Sequence, residues 1–212
     1  MSTLLELDSS DSRSRLIDAA TKAFIEDGYR ASVEQIATRA GVARQTLYNH
    51  FTSKDDLFRE VITHVTAALL ITLDDSILQL RERLLRFGIA FRSKTLSAEG
   101  LGFYRALLAE AARQPKITTD FYNTGPARTA ARLREVIAAA MAQGEMRNDD
   151  PEFATTMLLS MLVGAERSHC LLTGEVQPKQ DPAKVALIID CYLRAFAPAN
   201  PHPLPVTDRR TQ

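Results

Sequence analysis

The chain has 212 residues, 45% of them hydrophobic and 25% charged, with a formal net charge of zero. This balance is typical of a globular protein with a substantial core, and it excludes a protein coated all over in basic residues. No stretch approaches the roughly 20 consecutive apolar residues of a membrane span, and the N-terminus lacks the basic start and apolar run of a secretory signal. Cys170 and Cys191 are too few and too far apart for a disulfide framework, which predicts a reducing, cytoplasmic location, and both are expected to be buried.

The first predicted helix precedes Gly28, after a flexible segment that we assign to residues 1–10. Its apolar residues recur at the spacing of one helix face: Leu16, Ala20, Ala23 and Phe24. Glycine readily adopts the left-handed conformation that ends many helices. We therefore expect an amphipathic helix that ends at Gly28.

Two short helices are predicted next, separated by a glycine. Ser32 and Gln35 have the spacing of a capping box, in which each side chain bonds the backbone of the other residue, so a helix is expected to begin here. Gly41 is predicted to end that helix. A third helix is then expected from about Ala43 to His50.

A fourth helix is predicted to start at Ser53. Ser53 and Asp56 have the spacing of another capping box, and the acidic pair Asp55 and Asp56 suits the positive end of a helix dipole. One apolar stripe then continues for several turns: Leu57, Phe58, Val61, Ile62, Val65, Ala68 and Leu69.

Proline and glycine mark the helix ends in the rest of the chain. Pro115 is expected to stop one helix, Pro126 to open the next and Gly144 to end it. Two later segments begin with Asp followed by Pro, at 150–151 and 181–182, which predicts a cap and a first-turn proline. The sequence has no β-type alternation and no internal repeat, so the predicted fold class is all-α, with about nine helices and a disordered proline-rich tail at 198–212.

The predicted third helix has one apolar face and one polar face. On a helical wheel, Ala43, Leu47 and Phe51 lie on one side and can pack inward. The outer face has Gln45, Tyr48 and Asn49 at its centre and Arg44 and Thr46 on its flanks. Two short helices joined by a glycine turn, the second with such a face, are typical of a helix-turn-helix.

The outer face of this helix has suitable chemistry for reading DNA. In a helix-turn-helix the second helix enters the major groove, where Arg can pair with guanine, Gln with adenine, and a Thr methyl can contact thymine. Tyr, His and Lys suit phosphate oxygens, and Lys54 at the start of the fourth helix could share a phosphate with free N–H groups. Residues 28–54 contain four basic residues and one acidic residue, a local excess of +3. A solvated surface has a similar composition, so the residues alone leave both interpretations open.

The segment from Ser32 to Ile62 closely resembles the DNA-binding half of TetR/AcrR-family transcriptional regulators. The resemblance is carried by EDGY at the end of the first helix, by IATRAGVARQTLYNHF and by SKDDL. Ala43 departs from the family pattern, in which Ser or a similar cap is frequent, and this predicts a weaker start for the third helix. The resemblance implies a helix-turn-helix DNA-binding domain at residues 11–56.

The resemblance also implies which side chains face a double-stranded DNA operator. Eight residues occupy such positions: Ser32, Arg44, Gln45, Thr46, Tyr48, Asn49, His50 and Lys54. Gln45 and Thr46 are expected to contact base edges, and Arg44 either a base or a phosphate. The expected phosphate contacts are Ser32, Tyr48, His50 and Lys54.

Residues 57–197 resemble the ligand-binding and dimerisation half of the same family, and from Phe103 to Phe196 they resemble its AefR-like branch. This implies a pocket for a small-molecule effector of unknown identity. The candidate pocket residues are Phe87, Phe91, Phe103, Tyr104, Leu107, Phe121, Tyr122, Met141, Met161 and His169. For each of them a place in the core is the alternative.

The last two predicted helices, from Phe153 to Thr173 and from Pro182 to Ala197, are apolar on more than one side, so they must be buried within or between chains. The resemblance implies a four-helix homodimer interface, for which the candidates are Leu158, Leu162, Ala165, Leu187, Ile188, Cys191 and Tyr192. Two-fold symmetry would demand a near-palindromic operator. The resulting prediction is a homodimeric repressor that a small-molecule effector releases from its operator.

An enzyme and a binding protein that does not contact DNA are the competing interpretations. Glu166 and His169 have the i, i+3 spacing used in di-iron helix bundles, but such sites need a second pair, and Glu60 with His64 has a different spacing. The sequence has no phosphate-binding glycine loop, nucleophile elbow or Cys-x-x-Cys. We therefore expect no enzymatic activity, no cofactor and no metal site. The alternative is a helical ligand-binding or metal-binding bundle without DNA-binding activity.

Overall fold

The computed structural model describes the backbone of residues 2–74, 77–176 and 181–198, and the side chains of these ranges from residue 11 onward. The α-helices are α1 (Ser2–Asp27), α2 (Val33–Ala40), α3 (Arg44–His50), α4 (Lys54–Leu70), α5 (Leu80–Thr95), α6 (Ala98–Glu110), α7 (Pro115–Thr124), α8 (Pro126–Ala142), α9 (Pro151–Thr173) and α10 (Pro182–Ala195). Two short 3-10 helices, η1 and η2, lie at Gly28–Arg30 and Ile71–Leu73. The described residues contain no strand, so the all-α prediction is confirmed, with ten α-helices where about nine were expected.

The two ends of the chain were predicted to lack fixed structure. The backbone of residues 2–10 is helical as the first part of α1, and the flexibility of this segment stays a prediction. Residues 199–212, which make up nearly all of the predicted disordered tail, lie outside the described residues.

The predicted boundaries of α2 are confirmed by its end contacts. The Ser32 hydroxyl accepts a hydrogen bond from the Gln35 N–H at 3.1 Å, and the Gln35 side chain accepts one from the Ser32 N–H at 3.0 Å. Gly28 and Gly41 have φ angles of +61° and +68°, the left-handed conformation expected at these helix ends. Local sequence signals are therefore sufficient to delimit α2.

At the start of α4, only half of the predicted capping box forms. The Ser53 hydroxyl accepts a hydrogen bond from the Asp56 N–H at 3.1 Å. The Asp56 carboxylate turns instead to Thr52, whose N–H and hydroxyl both donate to it, at 3.0 and 3.1 Å. The helix is still capped, because the Ser53 hydroxyl accepts from a first-turn N–H, and the Asp56 carboxylate holds Thr52 against the helix start.

The predicted proline positions are confirmed in the second half of the chain. Pro126, Pro151 and Pro182 are first residues of helices, and the side chains of Asp150 and Asp181 cap α9 and α10. Pro115 differs from the expectation, because α6 already ends at Glu110 and Pro115 opens α7. Proline is favoured at the first position of a helix, because an N–H group at that position has no acceptor within the helix and its absence costs nothing.

The buried side chains form two cores that share α4. The first core combines α1 to α4 with one residue of α6 and one of α7, and the second combines η2, α5, α8, α9 and α10 with the end of α4. Leu57 and Ile62 of α4 belong to the first core, whereas Leu69 belongs to the second. The predicted boundary between residues 56 and 57 falls near the start of this shared helix, and the domain limits themselves stay a prediction.

A close contact joins α6 to the end of α1. Gly28 approaches Ala106 so closely that a Cβ atom built on Gly28 would lie 2.7 Å from the Ala106 Cβ. A side chain at position 28 would therefore push α6 away. Within the part of the chain that the structure describes, no helix is long and apolar enough to cross a membrane.

Candidate nucleic-acid interface

The helix-turn-helix presents α3 with its apolar side inward. Leu47 and Phe51 are buried in the first core, whereas Gln45, Tyr48 and Asn49 are exposed on the opposite side. Ala43 was expected to pack inward, but it is exposed because, as the N-cap residue, it has extended backbone angles and lies outside the helix. No side chain caps this end of α3, as the sequence predicted. The result is a short helix with a polar, accessible face.

Arg44 is held between two neighbours on this face. Its Nη1 lies 3.0 Å from Oε1 of Glu34 in α2, and its guanidinium carbon lies 5.5 Å from the centre of the Tyr48 ring. The pKa of Arg44 is raised above its ordinary value, first by hydrogen bonding with Tyr48 and then by the charge of Glu34. The guanidinium is therefore directed by its surroundings before any ligand arrives.

The remaining side chains of the face are also engaged. The Gln45 amide donates to Asn49 Oδ1 at 3.2 Å, one helical turn further along. His50 Nε2 lies 2.9 Å from the hydroxyl of Ser12 in α1. Thr46 is partly buried at the edge of the face. Gln45, Asn49 and His50 thus have partners within the chain, and contact with DNA would exchange those partners.

Lys54 is built into the junction between α4 and η1. Its ammonium donates a hydrogen bond to the backbone carbonyl of Tyr29 and lies 4.3 Å from the centre of the Tyr29 ring. Burial lowers the pKa of Lys54, and the charge of Asp55 opposes this shift. Lys54 is located at the helix start as expected, but it stabilises the junction in addition to any phosphate contact.

The local charge excess of residues 28–54 is compensated in space. Arg30 pairs with Glu110 of α6 at 3.0 Å, and Arg39 pairs with Glu26 of α1 at 2.6 Å. Both acidic partners lie outside the segment in which the sequence shows an excess of +3. The count along the chain therefore overstates the positive charge of this surface.

Polar contacts connect the helix-turn-helix to α6 and α7, and sequence reasoning missed them. In one, Arg30 of η1 contacts Glu110 at the end of α6. In another, Asp55 of α4 accepts a hydrogen bond from the Tyr29 hydroxyl and lies 3.5 Å from the ammonium of Lys116 in α7. No sequence signal could have identified these pairs, because the partners are up to 80 residues apart.

The candidate pocket residues are not brought together around one cavity. Three of them pack on the first core: Phe103, Leu107 and Phe121. Four belong to or pack on the second: Phe87, Phe91, Met141 and Met161. The others lie nearer the surface, with Tyr104 under the guanidinium of Arg167, Tyr122 60% exposed, and His169 exposed beside Glu175. Their role in a pocket stays a prediction.

Two shallow grooves lie elsewhere on the described surface. One, of about 360 Å³, runs between the end of α4 and α8 and is lined by Ala67, Leu70, Asp74, Arg128, Ala131, Arg132 and Glu135. The other, of about 300 Å³, lies between α8 and the start of α9. Neither contains a candidate pocket residue. The first touches α4, the helix that both cores share.

The candidate interface residues divide into two groups. Leu158, Leu162 and Tyr192 are completely buried within the single chain, so their selection as interface residues is wrong: they have no surface to offer a partner. Ala165 and Leu187 are exposed, and Ile188 and Cys191 are partly buried. Two large apolar side chains that we did not select, Phe153 and Leu172, are 57% and 88% exposed.

The Glu166 carboxylate, a possible metal ligand by its spacing from His169, forms ion pairs with two cationic side chains. It lies 2.7 Å from Nη2 of the buried Arg92 and 2.9 Å from the ammonium of Lys184. His169 points to the surface instead. No group of three or more potential metal-ligating side chains occurs among the residues that the structure describes.

Comparison with known families identifies both halves of the chain. Residues 16–61 match the family model described as bacterial regulatory proteins, tetR family, and residues 82–198 match that of the AefR-like transcriptional repressor, C-terminal domain. The HTH-type transcriptional activator FasR of Mycolicibacterium smegmatis is 43% identical over 51 residues, and the uncharacterised regulator YhgD of Bacillus subtilis is 38% identical over 56. These matches cover 24% and 26% of this chain, and only 23% and 29% of the two relatives.

Solved structures match over nearly the whole length. A protein of Mesorhizobium loti assigned to the TetR family of transcriptional regulators is 28% identical, with a TM-score of 0.70, over 89% of this chain and 96% of that one. The flavonoid-responsive regulator FrrA is 27% identical, with a TM-score of 0.66, over 89% and 98%. The chain is therefore a member of the TetR family of bacterial transcriptional regulators, with a DNA-binding helix-turn-helix followed by an AefR-like C-terminal domain.

Proposed function

We propose that this regulator is a homodimeric repressor, which binds a near-palindromic operator through α3 and is released when a small molecule binds its C-terminal half. The observation that carries the proposal is the polar, accessible face of α3, mounted on the buried Leu47 and Phe51. A helix of this width fits the major groove. The family model of the C-terminal half, described as that of a repressor, supports the direction of regulation.

The contacts to DNA follow from the chemistry of the α3 face. Gln45 and Thr46 read base edges, and Arg44 reads a base or a phosphate. Tyr48 and Asn49 lie on the exposed side of the helix, and Tyr48 contacts a phosphate. The remaining contacts go to phosphates, from Ser32, His50 and Lys54.

The dimer is supported by the outer face of α9. Phe153, Met157 and Gly164 lie on this face at helical spacing, and a Cβ atom built on Gly164 would meet nothing within 4 Å. On α10, Leu187 is 61% exposed. Apolar side chains of this size favour burial against a second copy of the chain. Pairing through α9 and α10 would set two α3 helices about 34–36 Å apart, one turn of DNA.

The release mechanism depends on α4. This helix begins beside the recognition helix and ends in the second core, next to the groove that it forms with α8. A ligand that binds better when α4 has shifted would depopulate the DNA-compatible spacing. A coupling of about 1–3 kcal/mol between ligand and operator would be typical.

DNA binding is tested by fluorescence anisotropy with duplexes that cover the DNA flanking the gene of this protein. One segment should bind tightly and with strong salt dependence. Arg44→Ala combined with Tyr48→Phe should abolish the preference, whereas the matched pair Arg134→Ala with Tyr122→Phe, exposed residues on α8 and α7, should not. Equal binding by both double mutants would refute the role of α3. Sedimentation equilibrium on the same samples must show a dimer.

The ligand response is tested by thermal shift followed by anisotropy. A flavonoid is the first probe, because the structural relative FrrA is described as flavonoid-responsive. Other small organic compounds follow, and each one that raises the melting temperature is added to the operator complex at saturation. Reduced operator affinity would support the switch. If every stabilising ligand left operator affinity unchanged, the proposed switch would be wrong.

A further inference from the structure

Glu34 is the single acidic residue between Gly28 and Lys54, and it faces the recognition helix. It occupies the second position of α2, where a carboxylate favours the helix dipole. That role needs no contact with α3. The carboxylate nevertheless reaches across the turn to the Arg44 guanidinium at 3.0 Å, although 58% of the Glu34 side chain and 61% of the Arg44 side chain are exposed.

The Arg44 guanidinium has two neighbours within the chain. One is the Glu34 carboxylate, and the other is the Tyr48 ring, whose centre lies 5.5 Å from the guanidinium carbon. Arginine has five N–H donors, so it can keep the carboxylate and still donate two hydrogen bonds to a guanine edge. The Glu34–Arg44 pair has no net charge. A phosphate contact by Arg44 would therefore add little electrostatic binding free energy, because the Glu34 carboxylate already neutralises the guanidinium.

We propose that Glu34 is a specificity-determining positioning residue, which holds Arg44 toward the base edges and keeps it off the DNA backbone. The proposal rests on the proposed operator binding through α3. The acid repels phosphates, so it lowers affinity for all sequences alike. It also restricts the directions open to a long side chain, so less conformational entropy is lost when Arg44 meets the correct base. The net result is weaker non-specific binding and a higher specificity ratio.

The test begins with in vitro selection of binding sites from a random duplex library by the full-length protein. The selected duplex and a scrambled duplex are then titrated by anisotropy at several salt concentrations. Glu34→Gln removes the charge and keeps the side-chain shape. We expect its affinity for scrambled DNA to rise several-fold and its salt slope to steepen by about one unit for each recognition helix. The ratio of specific to non-specific affinity should fall about tenfold, because a less well oriented Arg44 discriminates less strongly between bases.

The matched control is Glu26→Gln. Glu26 forms an ion pair with Arg39 at 2.6 Å, with side chains 53% and 40% exposed, and this pair joins α1 to α2. Glu26→Gln removes the same charge from the same domain. It should leave the ratio of specific to non-specific affinity as in the wild type. A second arm adds Glu34→Gln to an Arg44→Ala background, where the ratio should no longer change.

The outcomes separate this inference from the function on which it rests. If the wild-type protein enriches no sequence, operator binding itself fails and Glu34 has nothing to position. If a site is enriched but Glu34→Gln keeps the wild-type ratio, or matches Glu26→Gln, the inference alone is overturned. It is also overturned if Glu34→Gln lowers the ratio equally without Arg44, because Glu34 would then act through its own charge.

Discussion

Arg30 of η1 and Glu110 of α6 form an ion pair in which one partner is hydrated and the other is not. Nε and Nη2 of Arg30 lie 3.1 and 3.0 Å from the same Glu110 oxygen. The side chain of Arg30 is 74% exposed, whereas that of Glu110 is 9% exposed. The pair therefore ties the end of α6 to the helix-turn-helix and gives the largely buried Glu110 carboxylate a cationic partner.

This asymmetry predicts unequal effects of removing each partner. Arg30→Ala leaves the buried carboxylate without its cation and should cost about 1–3 kcal/mol of unfolding free energy. Glu110→Gln leaves a hydrated arginine and should cost less than about 1 kcal/mol. Urea unfolding of both variants at neutral pH gives the comparison. A larger loss for Glu110→Gln would show that Glu110 has another role.

The Tyr29–Asp55 contact predicts part of the acid sensitivity of the protein. The hydrogen bond from Tyr29 lowers the pKa of Asp55, burial opposes the shift, and the charge of Lys116 lowers the pKa further. The folded state then binds the proton less tightly than the unfolded state, so this stabilisation is complete above the ordinary pKa and is lost as the pH falls toward the folded one. Asp55→Asn should therefore flatten the loss of stability between about pH 5 and 3.

The measurement is urea unfolding at a series of pH values. Tyr29→Phe, which removes the main donor and keeps the charge of Asp55, should flatten the same profile to a smaller extent. A wild-type slope in Asp55→Asn would mean that the contact contributes nothing to acid unfolding.

Tyr192 has a buried hydroxyl group without a hydrogen-bond partner among the described residues. Burial raises the pKa of this phenol. Tyr192→Phe removes the unsatisfied group and should increase the unfolding free energy by about 1 kcal/mol. Tyr29→Phe is the matched control and should decrease it, because that hydroxyl donates to Asp55. Destabilisation by Tyr192→Phe would indicate that a buried water satisfies the hydroxyl.

Gly28 combines a left-handed backbone with close packing. Gly28→Ala should cost about 1–2 kcal/mol for its φ angle and about 1–3 kcal/mol more for the collision with Ala106. Gly144 has a similar φ of +76° but no atom within 4 Å of an added Cβ, so Gly144→Ala should show the backbone cost alone. Thermal unfolding of the two variants separates the terms. Equal losses of stability in the two variants would mean that α6 can move to accommodate the added methyl group at no cost in free energy.

Much of the fold could be read from local sequence because its causes are local. The capping box of Ser32 and Gln35, the glycines at 28 and 41, and the first-turn prolines act within a few residues of themselves. The inward side of α3 was also predictable at Leu47 and Phe51, since a helix repeats every 3.6 residues. Ala43 was misplaced because a cap residue lies outside that repeat.

The sequence by itself determined most of the helices, the family and the polar face of α3. Only the tertiary structure showed which side of α9 and α10 packs in the core. When a helix is apolar on several sides, its sequence pattern does not predict which side contacts which neighbour. Leu158 and Leu162 therefore proved to be buried within the chain, and Phe153 exposed. The tertiary structure also decided the charge balance of the DNA-reading surface, because Glu26 and Glu110 reach Arg39 and Arg30 through space. Contacts between distant segments depend on how the helices pack together, and the helical periodicity of the sequence does not predict that packing.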